Sequence, residues 1–122
     1  MSDISGQVLS VSAKKGTKRE YETILILRPS SNKTNILDLI HKMQAMFDKF
    51  GARIIKIENW GNRTLAYSIK RSPTGIYLYW RYIGGSDIVH EFERNLRIMD
   101  SVLRYYTVKV DEDVDATARP SE

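Results

Sequence analysis

The pattern of hydrophobic and polar positions changes its period along the chain in a regular order. Residues 21–27 (Tyr-Glu-Thr-Ile-Leu-Ile-Leu) are rich in β-branched residues and stop before Pro29, which is typical of a strand. Apolar residues then recur at steps of three and four, which predicts a helix with one buried stripe. The stripe consists of Ile36, Ile40, Met43, Phe47 and Phe50. Ser31 or Asn32 can cap the start of this helix, and Gly51 ends it.

The next part of the pattern is extended chain from residue 53 to residue 70, interrupted at Gly61-Asn62. This dipeptide suits either a two-residue hairpin turn or a bulge in one long bent strand. Residues 72–75 (Ser-Pro-Thr-Gly) predict a turn, because proline presets the second position of a type I turn and glycine suits the fourth. They lead into an aromatic strand over residues 76–83.

A second amphipathic helix is predicted after Gly84-Gly85, where Ser86 or Asp87 can cap it. Its buried face is predicted to contain Ile88 or Val89, Phe92 and Leu96. A β-rich run over residues 102–110 follows. The order strand, helix, strand, strand, helix, strand predicts an α+β fold of the ferredoxin-like βαββαβ type, a four-stranded antiparallel sheet with two helices on one face. The other face of the sheet is left to solvent or to a partner.

Alternation along the strands assigns side chains to the two faces of the predicted sheet, with Leu78 taken as a core residue. The core set is Tyr21, Thr23, Leu25, Leu27, Ile76, Leu78, Trp80 and Tyr82. The open-face set is Glu22, Ile24, Ile26, Tyr77, Tyr79 and Arg81. The open face then carries a contiguous apolar and aromatic patch, which is typical of an interaction site. The alternative is that the two faces are reversed, or that the sheet packs against another copy of itself.

Composition and charge divide the 122 residues into three parts. Residues 1–17 are rich in Ser, Gly and Lys and are predicted to be a flexible extension, with an extra edge strand over residues 7–11 as the alternative. Residues 18–110 form one predicted domain with 16 Lys or Arg against 9 Asp or Glu, a charge of +7. Residues 111–122 carry five acids and one arginine, and we expect a disordered acidic tail. The basic body favours polyanionic partners.

The sequence offers little of the chemistry that an enzyme needs. There is no cysteine, no phosphate loop and no serine elbow, and His41 and His90 fall on separate helices without a second ligand at metal spacing. We therefore predict a protein that is not an enzyme and needs no metal, cofactor or small-molecule substrate. No run reaches the length of a signal peptide core or a membrane span, so we expect an intracellular protein without a membrane partner.

Aromatic and basic residues are concentrated between residues 60 and 82, which hold both tryptophans and four of the seven tyrosines. A four-stranded sheet with aromatic residues suggests an RNA-recognition motif, whose third strand reads Lys/Arg-Gly-aromatic-Gly/Ala-aromatic. Here Gly75 is followed by Ile76, Tyr77 and Leu78, so the match fails at the first stacking residue and at the small residue.

Five stretches nevertheless fit one family pattern in order and spacing. They are residues 19–22 (Arg-Glu-Tyr-Glu), 50–53 (Phe-Gly-Ala-Arg), 60–69 (Trp-Gly-Asn-Arg-Thr-Leu-Ala-Tyr-Ser-Ile), 73–78 (Pro-Thr-Gly-Ile-Tyr-Leu) and 96–100 (Leu-Arg-Ile-Met-Asp). Through them the chain resembles the bacterial-type small-subunit ribosomal protein six family over about residues 18–110. Residues 1–17 have no counterpart in the family pattern.

The resemblance implies a non-catalytic, ferredoxin-like component of the small ribosomal subunit that needs no cofactor. It implies binding to the central domain of small-subunit ribosomal RNA together with ribosomal protein eighteen. The implied location is the cytoplasm, with an organellar ribosome left open. In this family the second strand is long and bent, which favours the bulge interpretation of Gly61-Asn62.

The site residues come partly from the resemblance and partly from charge and exposure. The resemblance assigns RNA contacts to Arg19, Arg63 and Arg104. Charge and exposure add Lys18, Lys70, Arg71 and Arg81. The protein partner is assigned to Trp60, Tyr67, Tyr77 and Tyr79, with a core position for Tyr67 as the alternative. The rival functions are a ferredoxin-like regulatory or ligand-binding domain that self-associates through its sheet, and a ferredoxin-like enzyme, for which the sequence supplies no polar pocket.

Overall fold

Residues 18–112, the part of the chain that the computed structural model describes, alternate strands and helices in the predicted order. The elements are β1 (Arg19–Leu27), α1 (Lys33–Lys49), β2 (Arg53–Ile69), β3 (Ser72–Gly84), α2 (Ser86–Ile98) and β4 (Val102–Glu112). The strands form one antiparallel sheet in the order β2-β3-β1-β4. The ferredoxin-like prediction is confirmed. The predicted extension, 1–17, lies outside the described residues, as does 113–122 of the predicted tail, while β4 runs through Glu112 rather than ending at residue 110.

Both helices pack on the predicted core face of the sheet. The strands bring Tyr21, Leu25, Leu27, Leu78, Trp80 and Tyr82 into one buried cluster, and Ile76 packs against it. The helices add Leu39, Met43, Phe47, Ile88, Phe92 and Leu96. Thr23 is fully buried in the same face, and its hydroxyl lies 2.7 Å from the hydroxyls of Tyr82 and Thr107, so this buried polar group is satisfied. The assignment of the two faces is therefore confirmed.

Helix α1 begins and ends where the sequence predicts, and its predicted buried stripe is confirmed at Met43 and Phe47. The Asn32 side chain accepts a hydrogen bond from the Asn35 backbone N–H at 2.8 Å, and the Asn35 side chain accepts one from the Asn32 N–H at 3.1 Å. The stripe consists of Leu39, Met43 and Phe47, which are spaced by four residues, whereas the predicted Ile36, Ile40 and Phe50 are only half-buried. The prediction omitted Leu39, since two neighbouring stripes of α1 are apolar.

Helix α2 follows Gly85, which stands at the cap position without a side-chain cap, so neither Ser86 nor Asp87 is the cap residue. Ile88 is fully buried, while Val89 is half-buried. The start of α2 approaches the sheet closely at Gly84, where an added Cβ would lie 2.7 Å from Ile88 Cγ2. A glycine is therefore required here by space rather than by backbone conformation.

The turn between β2 and β3 is not the one predicted. It consists of Lys70 and Arg71, which both have positive φ angles of 49° and 68°, as in a two-residue type I′ hairpin turn. Residues 72–75 belong to β3 instead. Pro73 is tolerated in this strand because β1 pairs with β3 only as far as Ile76, so the missing N–H of proline faces no partner in β1.

Strand β2 is continuous through Gly61-Asn62, so the bulge alternative is correct and a hairpin at this dipeptide is wrong. The register shifts between Asn59 and Gly61, and Gly61 has a φ of 89°. Trp60 is the extra residue at this shift. The bulge therefore changes the direction in which Trp60 points relative to the regular alternation of the strand.

The end of the β2–β3 hairpin curls over the open face of the sheet. The pairing of β2 with β3 changes from Thr64–Thr74 to Ile69–Ser72. Residues 65–68 of β2 are therefore bulged out of the ladder with β3, and we call this segment the outward loop. Leu65 on this loop is 8% exposed because it packs with Ile26 of β1 and Leu103 of β4. Lys70 Nζ donates a hydrogen bond to the Val102 carbonyl oxygen at 3.3 Å. Part of the predicted open patch is thus covered by the chain itself.

Candidate RNA and protein interface

The part of the open face that stays uncovered lies between β1 and β4. It contains an apolar concavity of about 220 Å³, lined by Ile24, Ile26, Tyr77, Arg104, Tyr105 and Tyr106. Tyr106 pairs with Ile24 in the sheet and is 63% exposed. The exposed stripe continues along β4 through Val108 and Val110. The sequence analysis placed Ile24, Ile26 and Tyr77 on this face but missed the contribution of β4, because it did not assign the faces of that strand, although period-two alternation from Tyr106 would have done so.

The other half of the open face carries an aromatic stack, which we define as Trp60, Tyr77, Tyr79 and Arg63. The rings of Trp60 and Tyr79 are nearly parallel, with 5.1 Å between centroids and 8° between planes. The guanidinium carbon of Arg63 lies 5.7 Å from the Trp60 ring centroid and 5.6 Å from that of Tyr77, within the range of a cation–π interaction. Trp60 Nε1 donates to Glu58 Oε1 at 2.9 Å.

A network of charged groups holds the aromatic stack from the side of β1. The Tyr79 hydroxyl donates to Glu22 Oε2 at 2.5 Å, and Arg81 Nη2 lies 3.1 Å from the same oxygen. Arg81 Nε is 2.8 Å from Glu20 Oε2, and Glu20 is 2% exposed. Burial and the hydrogen bond to Glu22 raise the pKa of Tyr79 to about 12, so its phenol is protonated at neutral pH and acts as a donor.

The predicted RNA-binding residues fall into three places. Four exposed residues lie at the end of the sheet where β1 terminates, and we call this group the basic end. It consists of Arg63, Lys70, Arg71 and Arg104. Lys18 and Arg19 lie at the start of β1, roughly 25 Å away along the strand. Arg81 lies between them and forms ion pairs with Glu20 and Glu22, so its charge is matched within the fold.

The predicted partner residues differ in accessibility. Tyr67 is 69% exposed on the outward loop of β2, so a core position for this residue is wrong. Trp60 is 37% exposed. Tyr79 faces the open side as predicted but is only 9% exposed because Trp60 covers it, and Tyr77 is half-buried beside the outward loop. Trp60 and Tyr67 are therefore the more accessible members of this set.

Residues 18–112 contain neither a cluster of metal ligands nor a helix suited to cross a membrane. His41 and His90 are exposed, and residues 18–112 hold no group of three or more His, Cys, Asp or Glu that could bind a metal ion. No helix in this range combines the length and the apolar character that crossing a membrane requires. A polar concavity of about 440 Å³ lies beside the start of α1, and its Arg28 is tied to the Asp100 carbonyl oxygen at 2.9 Å.

The ferredoxin-like sheet has one helix-covered face, an apolar concavity on the other face and exposed basic residues at one end, which is the arrangement of a binding domain. The sequence pattern of the family described as Ribosomal protein S6 matches residues 20–109. The chain therefore belongs to the ribosomal protein S6 family of the small ribosomal subunit.

The similarity extends over most of the chain in individual relatives. The small ribosomal subunit protein bS6 of Citrifermentans bemidjiense is 40% identical over 100 residues, which cover 82% of this chain and 75% of the relative. The bS6 protein of Geobacter sulfurreducens is 38% identical over 100 residues, covering 82% and 86%. The crystal structure of 30S ribosomal protein S6 from Thermotoga maritima has the same fold, with a TM-score of 0.70, 23% identity, and coverage of 76% of this chain and 88% of that one.

Proposed function

We propose that this protein is a structural, non-catalytic component of the small ribosomal subunit that binds the central domain of small-subunit ribosomal RNA together with ribosomal protein eighteen. The proposal rests on membership of the ribosomal protein S6 family. The structural observation that supports it is that the apolar concavity lies directly beside the exposed basic end, and Arg104 belongs to both. One surface can therefore meet a protein while its edge meets RNA.

The RNA contacts are assigned chiefly to the basic end. Lys70 and Arg71 are exposed at the tip of the hairpin, and the Lys70 ammonium also donates a hydrogen bond to the Val102 carbonyl oxygen. Arg63 and Arg104 extend the positive charge along the neighbouring strands. Exposed cations at such a spacing neutralise phosphates with little need for sequence reading. Lys18 and Arg19 form a second, smaller contact region, and Arg81 contributes least because Glu20 and Glu22 already neutralise it.

The protein contacts are assigned to the uncovered apolar surface. Tyr106 and Val108 stand on the edge strand beside the concavity, and Trp60, Tyr67, Tyr77 and Tyr79 border it or lie across the same face. Partner binding would remove exposed tyrosine and tryptophan surface from water, and these residue types dominate the binding energy of many interfaces. We assign ribosomal protein eighteen to this surface.

The RNA part of the proposal is tested by measuring how salt affects binding. The complex with ribosomal protein eighteen is titrated with the central domain of small-subunit ribosomal RNA at several salt concentrations. About four phosphate contacts predict a slope of log affinity against log salt near −3. Neutralising Lys70 and Arg71 to Gln should reduce this slope by about 1.5. The matched control neutralises Lys33 and Lys42, which are exposed on α1. An affinity that does not change with salt, or an equal effect of the control, would contradict the assignment.

The partner contact is tested with Tyr106→Ser, since this side chain is 63% exposed beside the concavity and belongs to neither buried cluster of the described residues. We expect affinity for ribosomal protein eighteen to fall by about tenfold or more, as for a tyrosine at an interface centre. Ile98→Ser is the control, because Ile98 is 69% exposed at the end of α2. Isothermal titration calorimetry measures both. Unchanged affinity in Tyr106→Ser would contradict the assignment of the partner to this surface. A homodimer that dissociates on this change would favour self-association through the sheet instead.

A further inference from the structure

Arg63 lies in an unusually well-defined place for an exposed arginine. Its guanidinium is within 6 Å of two ring centroids, at 5.7 Å from Trp60 and 5.6 Å from Tyr77. Its Nε donates to the Trp60 carbonyl oxygen at 3.3 Å. Within residues 18–112 no carboxylate pairs with it. The group is thus held by rings and by a backbone oxygen while its positive charge is left unmatched by an acid in this range.

The rings that hold Arg63 are themselves fixed by neighbours. Trp60 stacks on Tyr79 at 5.1 Å and donates its indole N–H to Glu58. Tyr79 is held by Glu22, which also contacts Arg81. Tyr77 packs against the cluster of Ile26, Leu65 and Leu103 formed by the curled hairpin. A series of contacts therefore runs from the half-buried carboxylate of Glu22 on β1, through Tyr79 and Trp60, to the exposed guanidinium.

This arrangement matters for anion binding because of the shape of the guanidinium group. A planar cation that stacks on aromatic faces keeps its N–H donors at the edge of the plane, where they can make two parallel hydrogen bonds to a phosphate. A surface arginine without such support must lose side-chain freedom when it binds. Arg63 has lost part of that freedom already in the unbound fold.

We propose that Trp60 and Tyr77 are positioning residues for RNA binding, which hold Arg63 in the orientation in which its guanidinium meets a phosphate. This inference rests on the proposed function and changes the role of the two aromatic residues, which sequence alone assigned to the protein partner. The aromatic stack then serves RNA binding through Arg63, apart from any surface that it offers to a protein.

The experiment is a double-mutant cycle of Trp60→Leu with Arg63→Gln. Affinity for the central domain of small-subunit ribosomal RNA is measured with ribosomal protein eighteen at saturating concentration, so that a change in partner affinity has little influence. Trp60→Leu should weaken RNA binding about two- to fivefold when Arg63 is present, the size of an exposed cation–π contact, and have no effect in the Arg63→Gln background. Tyr77→Leu should behave in the same way.

Two further measurements separate positioning from general damage. Trp60→Phe keeps a ring and should restore most of the affinity, and Trp60→Leu should reduce the salt slope by part of the 0.7–0.9 or so that one phosphate contact contributes. The control cycle pairs Trp60→Leu with Arg71→Gln, which lies on the hairpin tip outside the aromatic stack, and its effects should add.

The outcomes distinguish this inference from the proposed function. If Trp60→Leu weakens binding equally with and without Arg63, the positioning role is wrong. If Arg71→Gln weakens binding but Arg63→Gln does not, the positioning role is again wrong while the RNA-binding proposal stands. If Arg63→Gln, Arg71→Gln and Lys70→Gln all leave RNA affinity unchanged, the RNA-binding proposal itself fails, and this inference fails with it.

Discussion

The helix-covered face and the open face of the sheet bury their aromatic residues by different means. On the helix-covered face Trp80 is fully buried because Phe47 and Phe92 from the two helices pack on it, with ring centroids 6.2 and 5.1 Å away. On the open face Tyr79 is nearly as buried, but its cover is Trp60 from the neighbouring strand together with the carboxylate of Glu22. The first face is covered by two helices packed on the sheet, whereas Tyr79 on the second face is covered by side chains from neighbouring strands of the same sheet.

The difference indicates how the two faces divide stability and binding. Packing between helices and a sheet removes large apolar areas from water and contributes most of the stability of such a domain. Stacked rings and ion pairs on a surface contribute less, but they leave aromatic and charged groups accessible to a partner. Changes on the helix-covered face should therefore alter folding, and changes on the open face should alter binding.

The largest expected effect comes from the two tryptophans, one on each face. Trp80→Ala should lower the free energy of unfolding by about 3–5 kcal/mol because it leaves a cavity in the core. Trp60→Ala should lower it by only about 1 kcal/mol, since a stack on a partly exposed ring is lost. Urea unfolding with a common slope measures both. Equal losses would show that the open face is as much a core as the other face.

The next effect concerns the buried end of the charged network. Glu20→Ala should lower the free energy of unfolding by about 2 kcal/mol, because Arg81 loses the carboxylate at 2.8 Å and keeps only Glu22. The control is Glu91→Ala, which breaks the pair with Arg94 on the exposed side of α2 and should have a much smaller effect. Chemical denaturation measures the loss for each variant. Similar losses would mean that the buried pair of Glu20 with Arg81 stabilises the fold no more than the exposed pair of Glu91 with Arg94.

A smaller effect is expected from pH, through one tyrosine on each face. Burial raises the pKa of Tyr82 to about 12, and burial with the Glu22 hydrogen bond does the same for Tyr79. In the unfolded chain both have a pKa of about 10, so stability is constant below that pH and falls between about pH 10 and pH 12, because the unfolded state loses its protons first. Tyr82→Phe and Tyr79→Phe should each flatten part of this fall.

The comparison lies in the relative size of the two contributions. Both pKa values rise to about 12, so the two substitutions should flatten the alkaline fall by similar amounts, although Phe47 from a helix covers Tyr82 and Trp60 from a strand covers Tyr79. Thermal unfolding of the two variants and the parent protein across this pH range measures the difference. A much larger contribution from one tyrosine would show that its pKa is raised more than that of the other.

The smallest effect on stability is expected at the hairpin tip. Replacing Lys70 and Arg71 by Asn and Gly should raise the free energy of unfolding by about 1 kcal/mol, because these residues accept the positive φ angles of the type I′ turn more readily. The lost hydrogen bond from Lys70 to Val102 reduces the gain. RNA affinity should fall at the same time. A tip variant that is more stable and binds RNA equally well would show that Lys70 and Arg71 do not contribute to RNA binding.

The sequence predicted the helix-covered face well because its signals are local. Strand alternation around Leu78 and the three-four spacing of apolar residues in the helices follow from repeating geometry, so the fold and most of its core could be predicted. In α1 the predicted Met43 and Phe47 are fully buried, but Leu39 was missed because both Ile40 and Leu39 are apolar and spacing alone does not choose between them.

The open face could be predicted only in part, because its arrangement depends on contacts between distant residues. Lys70 and Arg71 carry no turn signal, while Pro73 and Gly75 carry a strong one, so the turn was misplaced. The contact of Leu65 with Leu103 exists only after the hairpin has curled, and no local pattern indicates it. Likewise, a glutamate at the start of a strand gives no sign that it will be buried beneath an arginine from another strand.

The attachment of the curled hairpin has a consequence for the assembly of a ribonucleoprotein particle. Leu65, the first residue of the outward loop, packs on Leu103 of β4, and Lys70, beyond the loop, donates to the Val102 carbonyl oxygen, so the hairpin is fastened to β4 at two points. A tip that is fastened in this way has few orientations to lose when it meets RNA, so less of the contact energy is offset by ordering of the chain. The hairpin tip would then bind as a preformed surface, and any conformational change at this contact would occur in the RNA.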